Sequence, residues 1–106
     1  RVPRPTPFHP SRTPHIATID AHAVVGELTL RQVLPADRFT PYGMRSGSKL
    51  VSDYLTDRHR SRIDKLRALV VCDEVGILWL VGETIAHRAA ITPATGEILT
   101  LTLTPA

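Results

Sequence analysis

The sequence predicts a small α+β domain, rich in strand, with about five or six short strands, one main helix and a short helical turn. Three observations lead there. Short apolar runs bounded by turn-forming residues recur through the second half of the chain, whereas a helical spacing of apolar residues, at Leu50, Val51, Tyr54 and Leu55, stands near the middle. The 106 residues suffice for one hydrophobic core and leave no room for a second of useful size. With 42% hydrophobic and 22% charged residues, the composition is that of an ordinary globular chain.

The elements follow in order. Residues 1–15 carry Pro3, Pro5, Pro7, Pro10 and Pro14, five of the nine prolines, spaced too closely for helix or ladder pairing. They read as a basic linker or strapped-on arm, and residues 16–106 as the folded domain. Ile16 to Ile19 and Leu28 to Leu34 are expected strands, the second ended by Pro35. After a turn-rich stretch to Gly47, Ser48 is the expected N-cap of the main helix, which ends near His59. Ser61, followed three residues later by Asp64, forms an acidic variant of the capping box for a helical turn carrying Ile63 and Leu66. Leu69 to Cys72 and Ile77 to Val81 flank Asp73-Glu74-Val75-Gly76 as a hairpin. Ile85 to Ile91 reads as one further strand, Thr92 to Gly96 as a turn, and Ile98 to Leu103 as a strand in which Leu99, Leu101 and Leu103 alternate with Thr100 and Thr102.

Charge is distributed unevenly. Residues 1–14 hold Arg1, Arg4 and Arg12 and no acid; residues 31–67 hold nine Lys/Arg against Asp37, Asp53, Asp57 and Asp64, a net +5; residues 68–106 are net −3, with Arg88 their one strong base. The basic block points to a polyanion partner, against the alternative of a solvated mixed-charge face. The lone Cys72, inside an apolar run, is expected to be a buried thiol in a reducing compartment, the cytoplasm. The longest apolar runs, Ala68 to Cys72 and Ile77 to Val81, fall far short of the roughly 20 residues of a membrane span, so no membrane partner is expected. The start at Arg1, with neither Met nor leader, reads as an excised fragment.

Signals of chemistry are absent. Ser46-Gly47-Ser48-Lys49 lacks the spacing of a phosphate loop and reads as a turn before a helix. His9, His15, His22, His59 and His87 show no ligand spacing, and a single Cys removes most zinc architectures, so no metal site is expected. No G-x-S-x-G elbow is present to place a nucleophile, and no catalytic residue is assigned.

The informative stretch is Leu28-Thr29-Leu30-Arg31-Gln32-Val33-Leu34-Pro35-Ala36-Asp37-Arg38-Phe39-Thr40-Pro41-Tyr42-Gly43-Met44, followed by Lys49-Leu50-Val51-Ser52-Asp53-Tyr54-Leu55 and by Ile77-Leu78-Trp79-Leu80-Val81-Gly82. These pieces resemble the C-terminal domain of bacterial tRNA(Ile)-lysidine synthases, which runs approximately L-x-x-R, G-D-R-F-x-P-x-G-M, K-K-L-x-D-[FY] and I-x-W-V-x-G. Each piece is weak alone; the four in order, over residues 16–104, are specific. Ala36 stands where the family usually has Gly, and Ser48 where a second basic residue is common.

The resemblance implies a β-rich module with one helix, similar to one in the phenylalanyl-tRNA synthetase β chain. It implies an enzyme that uses ATP with Mg to activate the wobble cytidine of an isoleucine tRNA and joins lysine to it. That chemistry belongs to an upstream catalytic domain with an S-G-G-x-D-S loop, a string missing between Arg1 and Ala106, so this fragment is expected to need no cofactor of its own. Its implied task is to grip tRNA on the acceptor-stem side. An A-form stem offers phosphates, 2′-hydroxyls and shape more readily than a readable groove, so the grip calls for Arg and Lys. The candidates are Arg38, Arg45, Lys49, Arg58, Arg60, Arg62 and Lys65, with Arg67 beside them, and Arg58, Arg60 and Arg62 are expected to fan outward from the helix exit.

Plainer roles stand beside these. Asp37-Arg38 reads as a local ion pair, Phe39, Tyr42 and Trp79 as core, and Arg88 as a partner of Glu83 or Glu97. The few aromatic residues argue against single-strand binding along a row of stacked rings. Two rival classes are left open: an independent small enzyme, and a protein-interaction or homodimerisation module favoured if the strand at 98–103 is an unpaired edge.

Overall fold

The computed structural model describes Val2–Pro3 and residues 15–103. Among these, five strands have four or more residues: β2 (Ile16–Asp20), β3 (Thr29–Gln32), β6 (Leu69–Cys72), β7 (Ile77–Leu80) and β9 (Glu97–Thr102). Two-residue pairings make up β1 (Val2–Pro3), β4 (Arg38–Phe39), β5 (Lys49–Leu50) and β8 (Thr84–Ile85). The helices are α1 (Val51–Asp57) and α2 (Arg62–Arg67), and short 3-10 turns cover Ala21–Ala23 and His87–Ala89. The α+β class and the single main helix are as the sequence predicts.

All pairing is antiparallel, in a four-stranded sheet ordered β3-β6-β7-β8, a three-stranded sheet ordered β1-β9-β2 and a β4-β5 ribbon. Strand β7 has all four residues buried because both faces of its sheet are covered. On one face Val70, Cys72, Ile77 and Leu80 meet Phe39 of the ribbon and Val51 and Leu55 of α1. On the other, Val71 and Trp79 meet Ala17 of β2, and Leu78 meets Ile19 and Ala89. Ile77 and Leu80, three residues apart, reach the same face because the β6–β7 register slips: Val71 pairs with Trp79 but Cys72 with Ile77, leaving Leu78 as the extra residue of a bulge. Burial pushes the Cys72 thiol above its ordinary pKa, as expected of a packed cysteine.

The hairpin, the Ser61/Asp64 capping box and the 98–103 alternation all form as expected. Ser61 Oγ accepts from the Asp64 N–H at 3.1 Å, and Asp64 answers by accepting from the Ser61 N–H at 3.2 Å. Two expectations are corrected. Ser48 does not cap α1; the cap position is Leu50, with no side-chain bond, since Lys49–Leu50 are drawn into β5 against Arg38–Phe39, and the Val51 N–H donates to the Asp37 carbonyl instead. Ile85 to Ile91 is not one strand. After β8 the Ala86 N–H turns to the Leu78 carbonyl and the His87 N–H to the Thr40 carbonyl, and the chain closes a 3-10 turn. On the condition set for the 98–103 strand, β2 pairs with β9 from Ile98 to Thr102, and on the other side β1 meets Glu97 and Ile98 alone among the described residues. Of the proline-rich arm, Val2–Pro3 does enter a ladder, opposite Ile98 and Glu97, against the expectation from proline spacing; the rest of the arm lies outside the described residues.

Candidate nucleic-acid interface

The residues that carry the resemblance are mostly structural anchors. Arg31 grips Asp37 with both terminal nitrogens, at 2.7 and 3.0 Å, and the Leu34 N–H adds a third bond to the same carboxylate at 2.7 Å. The Arg31 bond first, then the Leu34 N–H, hold Asp37 below its ordinary pKa despite burial. The expected Asp37-Arg38 pair therefore does not form. Neighbouring residues on a strand point to opposite faces, so Arg38 crosses the ribbon and donates from Nε to Ser48 Oγ and from Nη2 to the Ser48 carbonyl, both at 3.0 Å. Phe39 goes inward, edge-on to Tyr54 with ring centroids 5.6 Å apart.

The Pro41–Met44 turn is fastened to the segment after β8. Tyr42 N–H donates to the Ile85 carbonyl at 3.0 Å, and Gly43, at φ +93°, donates to His87 Nδ1 at 3.3 Å. That φ is one a glycine adopts without strain. Tyr42 is not core: it is 61% exposed, its ring centroid 6.0 Å from that of His87. A groove of about 350 Å³ opens here, lined by Arg38, Thr40, Arg45, His87 and Arg88 among others, with no carboxylate in its lining. Arg45 makes no ion pair or hydrogen bond among the described residues.

A second basic group surrounds the two helices, and it is more heavily engaged. Lys49 pairs with Asp57 at the end of α1 and sits 5.7 Å from the Tyr54 ring centroid, while Lys65 donates to Thr56 Oγ1. Arg58 and Arg60 do not fan freely outward. Both converge on Glu83, whose side chain is 8% exposed: Arg60 Nε lies 2.6 Å from Oε1 and Arg58 Nε 3.7 Å from Oε2, the latter oxygen otherwise buried without a hydrogen bond. Arg62 has no such partner among the described residues. The cleft beside them, lined by His15, Arg60 and Arg67, also contains Asp64 and Glu83, so its charge is mixed.

Arg88 pairs, but with Asp73 rather than Glu83 or Glu97. Its Nη2 lies 2.6 Å from Asp73 Oδ1 and its Nη1 3.1 Å from Oδ2, while the N–H groups of Val25, Val75 and Gly76 donate to the same carboxylate. Burial opposes ionisation of Asp73, but these bonds outweigh it and hold its carboxyl far below the ordinary range. Glu83, Asp73 and His87 were invisible as organisers because each acts on residues distant in sequence. Among the described residues no group of three or more His, Cys, Asp or Glu is placed to hold a metal, and no helix is long and apolar enough to cross a membrane.

No protein-family model matches the chain. In sequence it is 37% identical over 92 residues, 87% of its length, to the tRNA(Ile)-lysidine synthase of Parabacteroides distasonis, and equally to that of Bacteroides thetaiotaomicron. A Porphyromonas gingivalis tRNA(Ile)-lysidine synthase is 35% identical over 65 residues, 61% of the chain. The chain spans 21% of the length of the first two relatives. In fold it matches the crystal structure of the TILS C-terminal domain with a TM-score of 0.67, at 18% identity, over 92% of this chain and 78% of that one. The motif residues thus serve this fold as its anchors, and the chain belongs with the C-terminal domains of the tRNA(Ile)-lysidine synthases.

Proposed function

We propose that this domain is the tRNA-gripping part of a tRNA(Ile)-lysidine synthase, meeting backbone phosphates on the acceptor-stem side of an isoleucine tRNA. The 37% identity to such synthases over 87% of the chain carries the reading. In the whole protein an upstream catalytic domain uses ATP and Mg to activate the wobble cytidine and attaches lysine to it, and the compartment is the cytoplasm. The basic residues supply the means. Arg45 and Arg62, without ion-pair or hydrogen-bond partners among the described residues, can meet phosphates without breaking such a pair, whereas Arg38, Lys49, Arg58, Arg60 and Lys65 add charge from fixed positions.

A titration of tRNA at several salt concentrations tests this. Neutralising roughly three or four phosphates gives a log-log salt slope of about −2 to −4. Changing Arg45 and Arg62 together to Gln flattens the slope by about one to two units with the fold intact by circular dichroism. An unchanged slope in the folded double variant would remove these two residues from the interface, and no tRNA binding by the parent chain even at low salt would end the reading. The interaction-module alternative is weakened at its motivating feature, since β9 is paired along one side with β2 and at Glu97 and Ile98 with β1.

A further inference from the structure

The groove beside the Pro41–Met44 turn differs from the helix-side cleft in charge, rigidity and aromatic content. Its lining has arginines and a histidine without a carboxylate, whereas the other cleft includes Asp64 and Glu83. Four bonds hold the turn in one shape: Tyr42 N–H to the Ile85 carbonyl, His87 N–H to the Thr40 carbonyl, Gly43 N–H to His87 Nδ1, and Thr40 Oγ1 to the Gly47 carbonyl. On this fixed turn sits the 61%-exposed Tyr42. Its ring reaches the groove through His87, 6.0 Å away centroid to centroid, and an aromatic ring held on a rigid support at the rim of a groove that contains Arg38 and Arg45 serves a flat, anionic ligand.

We infer that this groove and its rim receive a single unpaired nucleotide of the bound RNA, its phosphate held in the groove by Arg38 and Arg45 and its base stacked on Tyr42, which stands outside the lining beside His87, ring centroids 6.0 Å apart. The inference rests on the RNA-binding reading above and names what this part of the surface recognises. The volume of about 350 Å³ lies in the small-ligand range, suited to one nucleotide, whereas a duplex is met on an open surface. Arg38 is pre-positioned by its two bonds to Ser48, which leave Nη1 without a partner among the described residues. Arg45 is free. Arg88 does not join them, being committed to Asp73. The Gly43 N–H donates to His87 Nδ1, which ties this lining residue to the turn that carries Tyr42. The paucity of aromatic residues excludes a long single-strand track and leaves room for one stacked base.

The test compares a blunt RNA duplex with the same duplex bearing a short single-stranded 3′ extension, titrated against the 106-residue chain at low salt. The parent chain should bind the extended RNA about 5- to 100-fold more tightly, the range of one base-on-aromatic stack. Tyr42→Ala should abolish that preference while leaving blunt-duplex affinity unchanged, and Tyr42→Phe should keep it. Arg45→Gln should lower affinity for the extended RNA more than for the blunt one. Tyr42 is exposed and its fold-bearing bond is made by its backbone, so the alanine variant keeps the turn. Equal binding of the two RNAs by the parent chain, or a preference that survives Tyr42→Ala, overturns the nucleotide groove alone. Binding of neither RNA overturns the RNA-binding reading beneath it as well.

Discussion

Replacing Asp73 with Asn tests whether one carboxylate holds together the loop between β6 and β7. The side chain is 0% exposed and accepts five hydrogen bonds, two from Arg88 and three from the N–H groups of Val25, Val75 and Gly76. Asparagine is nearly isosteric but has one acceptor oxygen. If that oxygen serves Val75 and Gly76, the amide nitrogen faces the Val25 N–H and Arg88 Nη1, donor against donor. The loss comprises charge-assisted bonds to Arg88, each worth about 1.5–3 kcal/mol, and one N–H left unsatisfied at about 1–3 kcal/mol. Arg88 keeps the Ala23 and Gly76 carbonyls as partners, which softens the loss to about 3–5 kcal/mol, the range for breaking a buried pair. With a urea slope of about 1–3 kcal/mol/M, the midpoint should fall by roughly 1–5 M at constant slope, followed through the buried Trp79. The pH dependence has a fixed sign. A carboxyl with a depressed folded pKa stabilises the fold above its unfolded value of about 3.9, and that contribution fades as pH falls toward the folded value. The parent-to-variant gap should therefore hold between about pH 5 and 7 and shrink below about pH 4. A midpoint within about 0.3 M of the parent, or a gap that widens in acid, would refute the reasoning.

Other outcomes follow from the same contacts. Changing Arg58, Arg60 and Arg62 together to Gln should flatten the tRNA salt slope by about one to three units but also lower the urea midpoint, because Glu83 loses both its cations; adding Glu83→Gln should restore part of the midpoint, and no restoration would mean the Glu83 contacts do not matter to the fold. Gly43→Ala should cost about 1 kcal/mol from backbone strain alone, since φ is +93° and no atom lies within 4 Å of an added Cβ; an unchanged midpoint would show that the turn relaxes. The 106-residue chain should release no pyrophosphate from ATP in the presence of lysine and tRNA, since it has no S-G-G-x-D-S loop; tRNA-dependent release by this chain free of contaminating enzyme would place the chemistry here.

Local patterns in the sequence were enough for the elements whose causes are local. The β6–β7 hairpin follows from two apolar runs around a turn, the Ser61/Asp64 cap from a spacing of three, and the burial of Trp79 from its apolar neighbours. Tertiary structure decided the rest. Which acid each arginine meets, Arg31 with Asp37, Arg60 with Glu83 and Arg88 with Asp73, depends on strand order and turn geometry, because charge attraction has no sequence periodicity to betray it. The same holds for β9, whose Leu/Thr alternation announces a strand but not its place between two others. It holds for Ile85 to Ile91, where a run of apolar character was split because the Leu78 and Thr40 carbonyls claimed the N–H groups of Ala86 and His87. The aromatic ring of Tyr42 predicts a core position, but the backbone bonds that fasten its turn leave the side chain in solvent. Hydrophobic patterning is written along the chain, whereas the partners of polar and charged groups are set by which distant segments the core brings together.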